Sequence, residues 1–143
     1  MLRIQHSTTI PRPPERVWNV FEDLPAWPKW NPATPRAVWL TEGQWRRGAR
    51  MDVTFRRKHK RLVVRPEVVA IEPNRGVTWL RRGLGLTVRQ RFTFEPDGTG
   101  TRVTSVATLS GPLVFVARLV MPPAGLRAIL VQWLEALRIE AER

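Results

Sequence analysis

The sequence predicts an α+β domain: about seven antiparallel strands, one long C-terminal helix packed against them, and two short helices after the first strand. Three observations carry this. Between Met51 and Ser110, runs of alternating apolar and polar residues are separated by turn residues, the pattern of half-buried antiparallel strands. From Ala124 to the end the apolar spacing changes to three and four, with Leu126, Ile129, Leu130, Trp133 and Leu137 on one stripe. The stretch Pro11 to Pro32, PRPPERVWNVFEDLPAWPKWNP, packs two short apolar helices between prolines.

Residues 2 to 10, LRIQHSTTI, alternate weakly and carry Thr8, Thr9 and Ile10, which reads as a first strand. Pro13 and Pro14 pre-set a helix start that needs no N–H, Glu15 suits its first turn, and Val17, Trp18, Phe21 and Leu24 form its stripe. Pro25 stops that helix. Trp27, Pro28, Lys29, Trp30, Asn31 and Pro32 then set two large aromatics beside rigid turns, a segment suited either to the core or to one end of a cavity.

Arg36 to Leu40 is a second strand, and Met51, Val53 and Phe55 alternate with Asp52, Thr54 and Arg56 in a third. After the basic turn RRKHKR, Leu62 to Glu72 reads as one strand, with Pro66 marking a bulge or an edge. Val77 to Arg82 follows, then the RGLG turn, then Leu86 to Glu95, the cleanest alternation in the chain. PDGTG at Pro96 to Gly100 is a hairpin signal, and Thr101 to Ser110 returns. Leu113 to Met121 is apolar on nearly every side apart from Arg118, and Pro122 and Pro123 separate it from the last helix.

With 143 residues the chain is long enough to bury roughly two thirds of its unfolded surface, and no repeat or linker divides it, so residues 1–143 are expected to be a single domain. The absence of cysteine excludes disulfides, thiolate nucleophiles and Cys-based zinc sites. No secretory signal opens the chain, and no stretch approaches the ~18 uninterrupted apolar residues of a membrane span, so a cytoplasmic, soluble protein is expected. The net charge of +12 and the pI of about 11.8 invite polyanionic partners. Arg outnumbers Lys by 21 to 3 and Tyr is absent, however, which GC-rich coding alone would give.

The order of elements, the motif VWNVFEDLPAWPKWNP and the later FTFEPDGTGTRVT are similar to the polyketide cyclase/dehydrase-like branch of the START-type helix-grip (SRPBCC) superfamily. The motif residues are Ile10, Pro13, Val17, Trp18, Glu22 and Asp23, then Trp27, Trp30 and Pro32. The resemblance covers nearly the whole chain. It implies a strongly curved antiparallel sheet around the terminal helix and a mostly apolar cavity between them. Its members range from polyketide cyclases to lipid and hormone carriers, so the fold does not choose a function.

The implied site is the space between the concave face and the helix. Alternation turns Phe55, Val68, Gln90, Phe92, Val103 and Ser105 toward it, with Trp39 and Trp79 candidates to join them. Leu126, Leu130 and Trp133 face it from the helix, and Trp27 and Trp30 are expected at its rim. Apolar members could equally be core. Gln90 is the informative one, because a buried amide must find a partner or face a wet cavity. Arg81, Gln90 and Ser105 are the candidate catalytic groups, as donors to an enolate in an aldol-type cyclisation or a dehydration of a poly-β-keto chain. The other reading is a non-catalytic lipid or isoprenoid carrier.

No nucleophile elbow or phosphate loop occurs, and His6 and His59 are isolated, so neither metal nor cofactor is expected. The basic run Arg46–Arg61 is either a solvated hairpin or a dock for an acidic carrier protein or an anionic membrane surface. Nucleic acid ranks last, since Phe55 is the only aromatic in the centre of the run and alternates inward. Leu113–Met121 is expected to gate the cavity, with burial on both sides, a dimer surface or a membrane contact as alternatives.

Overall fold

The computed structural model describes residues 1–143. The strands are β1 (Leu2–Ile10), β2 (Arg36–Trp39), β3 (Met51–Arg57), β4 (Lys60–Val64), β5 (Glu67–Glu72), β6 (Gly76–Gly83), β7 (Leu86–Asp97) and β8 (Gly100–Ser110). The helices are α1 (Pro14–Glu22), α2 (Trp27–Trp30), α3 (Val114–Val120) and α4 (Pro123–Glu142), and a 3₁₀ turn at Leu24–Ala26 joins α1 to α2. Both α1 and α4 start with a proline in the first turn after an extended proline cap. There the missing N–H costs nothing and the fixed φ favours the helix.

All pairings are antiparallel, in a five-stranded sheet ordered β1-β8-β7-β6-β5 and a three-stranded sheet ordered β2-β3-β4. The expected single strand Leu62–Glu72 is therefore two strands in different sheets, which makes eight in all. The break falls at Arg65 and Pro66, where proline has no donor for a ladder. The Pro66 carbonyl accepts from Met51 N at 3.2 Å, and Gly48 and Val68 with Ala49 exchange two 2.8 Å bonds. These bonds stitch the start of β3 to β5, so the two sheets form one wall around α4, the helix-grip fold. A register shift between Val68 and Ala70 turns Ile71, rather than Ala70, toward the core.

One end of this wall is closed by aromatic rings. Phe21 of α1 sits at their centre, with ring centroids at 5.1 Å from Phe92, 5.2 Å from Phe94, 5.3 Å from Trp45 and 5.4 Å from Trp27. The run from Trp45 to Arg61 is not one hairpin. Trp45 plugs the closed end and donates Nε1 to the Glu22 carbonyl at 2.7 Å, while Arg56–Arg61 forms the distant tip between β3 and β4. The basic surface expected over Arg46–Arg61 is thereby divided. Asp52 is buried beside Arg65 at 2.9 Å and Arg36 at 3.8 Å, a structural ion cluster on β3. No single helix is long and apolar enough to cross a membrane, and α3 and α4 meet at a bend of 70°.

Candidate functional site

The other end is open, and a cavity of about 340 Å³ lies there between the sheet, α3 and α4. That volume is within the range of small-molecule sites, about 300–1,000 Å³. Strand register builds the sheet wall row by row. Trp79, Gln90, Ala107 and Ile4 lie side by side across β6, β7, β8 and β1, and Arg81, Val88 and Leu109 form the next row toward the mouth. Phe55, Leu62, Val64 and Pro66 come from β3, β4 and the break after it, Ala117, Val120 and Met121 from α3 and the bend, and Leu126, Ile129, Leu130 and Trp133 from α4. Trp79 and Trp133, both nearly inaccessible, form the floor against the aromatic cluster.

Only two polar side chains line this wall, Gln90 and Arg81. Gln90 is half-buried, and its Nε2 donates to Ser105 Oγ at 3.2 Å. Its Oε1 and its second Nε2 hydrogen make no hydrogen bond within the protein, so the amide offers the cavity one acceptor and one donor. Arg81 is exposed at the mouth, in no hydrogen bond or ion pair. No carboxylate, imidazole, amine or hydroxyl lines the wall, which can hold an apolar body and one or two oxygen atoms. The charge cluster of α4 lies elsewhere: on its outer face Arg138 holds the Glu135 carboxyl below its ordinary value by hydrogen bonding, and Glu135 raises the Arg138 guanidinium in return.

Of the residues selected from sequence, Phe55, Trp79, Arg81, Gln90, Leu126, Leu130 and Trp133 stand on the wall. Trp27, Val68, Phe92 and Val103 do not; they are sealed in the core. Trp27 donates its Nε1 to the Phe21 carbonyl at 2.8 Å, which fixes it beneath the floor instead of at the rim. Trp30 packs edge-on against Trp133 at 5.7 Å, and Trp39 against Trp45 at 5.0 Å, both off the wall. Ser105 is fully buried behind Gln90. His6 and His59 are not on the wall either.

The cause of these corrections is that alternation assigns a face but not a depth. Leu86 and Val88 share the face of Gln90 and Phe92, and Ala107 and Leu109 that of Val103 and Ser105, yet only the half toward the mouth borders the cavity. The signal that could have found them is the drop from aromatic to aliphatic side chains along one face. Expected as a gate, α3 lies over the cavity with Ala117 and Val120 on the wall.

A family model described as polyketide cyclase / dehydrase and lipid transport matches residues 1–142. No curated protein matches the sequence. Among solved structures, a START superfamily protein from Mycobacterium smegmatis is similar with a TM-score of 0.76 at 19% identity, covering 98% of this chain and 97% of that one. The Zhui aromatase/cyclase from Streptomyces sp. R1128 gives 0.79 at 17% identity, over 99% and 94%. The major latex-like protein 151 of Panax ginseng gives 0.80 at 14% identity, over 98% and 97%. At these identities the likeness is one of fold.

Proposed function

The chain belongs to the polyketide cyclase / dehydrase and lipid transport family, and from that premise we propose that it binds a hydrophobic, oxygenated small molecule in the cavity between sheet and α4. Family membership and the shared fold support binding of a hydrophobic ligand in general. The oxygen rests on one observation: a wall that is apolar apart from Arg81 at its mouth presents the Gln90 amide, anchored by Ser105, in the row beside the Trp79 floor. An amide in such a wall gains from a ligand carbonyl or hydroxyl that replaces water.

A second reading, cyclisation or dehydration of a poly-β-keto chain, is favoured by the same donors. Aldol closure removes an α-proton, joins the enolate carbon to a second carbonyl, and protonates the new alkoxide. Gln90 and Arg81 would stabilise the oxyanion while the wall folds the chain. The wall offers no base, so the proton would pass to water at the mouth, and binding without turnover is the simpler role.

The test is native mass spectrometry of protein purified from its own host, with quenching of Trp79 and Trp133 fluorescence by isoprenoid and polyaromatic probes. A co-purifying ligand and saturable quenching are expected. Gln90→Leu should weaken a ketone-bearing probe roughly 5- to 10-fold while leaving its hydrocarbon analogue unaffected. A cavity that stays empty and quenches with no probe would overturn the reading. Unchanged polyketide turnover in Gln90→Leu and Arg81→Leu would remove both from any reaction.

A further inference from the structure

Three segments far apart in sequence meet around the cavity mouth: the β3–β4 tip, the β6–β7 tip and α3. At the start of α3, Leu113 N donates to the Gly85 carbonyl at 2.8 Å. Gly111, at φ +107°, allows this approach, because a Cβ there would lie 2.5 Å from that same carbonyl oxygen. At the far end of α3, Lys60 Nζ donates to the Val120 carbonyl at 3.1 Å. The two hairpin tips therefore flank the helix.

The outward side chains are apolar. Leu84 is 98% exposed, Leu119 80%, Val120 68% and Phe115 66%. Among them stand Lys58, Arg61, Arg82 and Arg118, none in an ion pair. No Asp or Glu occurs in residues 53–66, 76–94 or 111–134. An arginine-rich coding composition scatters cations; it does not clear carboxylates from three separate segments that fold together.

We propose that this mouth docks on an anionic lipid bilayer, with Leu84, Phe115 and Leu119 entering the interfacial layer and Lys58, Arg61, Arg82 and Arg118 facing the headgroups. Apolar side chains standing almost free on tips suit a deformable acyl layer, whereas a protein partner would have to bring a matching pocket for each. The unopposed positive charge complements anionic headgroups and orients the approach. Docked in this way the cavity opens toward the membrane, so that a hydrophobic ligand passes between them without crossing water. That last consequence rests on the ligand-binding reading; the docking itself does not.

The test is cosedimentation of the full chain with vesicles of phosphatidylcholine alone or mixed with phosphatidylglycerol. Binding to the mixed vesicles is expected, at least about tenfold weaker on phosphatidylcholine and weakened by salt. The double variants Phe115→Ser/Leu119→Ser and Lys58→Glu/Arg82→Glu should each lose about tenfold or more, with unchanged circular dichroism and unchanged quenching by cavity probes. Arg46→Glu/Arg47→Glu, at the closed end, should bind as the wild type does. Equal binding by all variants, no preference for anionic vesicles, or a dimer in ultracentrifugation that buries α3 and binds no vesicles would overturn the proposal. Lost docking with intact probe quenching in the wild type would leave the ligand reading standing.

Discussion

β7 and β8 pass through both ends of the molecule, and one inward face serves two purposes along its length. Toward the closed end it carries Phe92, Phe94 and Val103 against α1 and the tryptophans. Toward the open end it carries Leu86, Val88, Ala107 and Leu109 against α3 and the first turns of α4. Both halves are apolar. They differ in side-chain size and in what fixes the opposing layer. The indole N–H groups of Trp27, Trp45 and Trp133 each find an oxygen, at 2.8, 2.7 and 2.9 Å, so the rings are locked in position as well as buried. The open half faces a seven-residue helix that has no side-chain cap. Along β7 and β8 the cavity thus begins where the aromatic residues stop, not where hydrophobicity stops.

The largest effect should come from breaking the closed end. Phe21 is fully buried and touches seven other rings. Phe21→Ala is expected to cost about 3–5 kcal/mol in urea unfolding and to weaken probe binding by loosening the floor. A cost below about 1 kcal/mol would show that the ring cluster is not the clamp, because that is less than the transfer free energy of the lost ring alone.

A smaller effect, and a sharper contrast, comes from adding the same side chain at both ends. Ala37 is buried in the closed core and Ala107 lines the cavity. Ala37→Phe should destabilise by about 1–3 kcal/mol or more, since no space exists for the ring. Ala107→Phe should change stability by less than about 1 kcal/mol while reducing probe affinity roughly tenfold, because the ring occupies space the ligand would use. Equal destabilisation by the two would mean the open end is as tightly packed as the closed one.

The same contrast explains what the sequence could and could not convey. Strand faces were legible because period two is a local property, and the terminal helix because its stripe is regular. Pro66 announced an irregularity, but whether the strand bulged or changed sheet depended on partners about fifteen residues away around Met51, beyond any local pattern. The register shift at Val68 and Ala70 was equally invisible, since an extra residue reverses the face without changing composition. Trp27 and Trp45 could not be placed because an indole suits a core and a rim alike until its N–H partner is known. Here those partners are the carbonyls of Phe21 and Glu22, at the end of α1. Gln90 was legible as unusual, and it stands on the wall.

Ser105 lies on the boundary between the two regions, in register with Phe92 on one side and His6 on the other. It does not touch the cavity, yet its hydroxyl is the only protein partner of the Gln90 amide. Ser105→Ala removes that bond, and the expected loss of stability is about 1 kcal/mol, the smallest of these effects. A purely structural hydroxyl would do no more. If Ser105 positions Gln90, the freed amide samples several rotamers and pairs less well with a ligand oxygen. The preference for a ketone-bearing probe over its hydrocarbon analogue should then shrink in Ser105→Ala, although the apolar affinity stays near that of the wild type. Paired titrations of the two probes measure that ratio, and a ratio equal to the wild type's would assign Ser105 to the closed core alone.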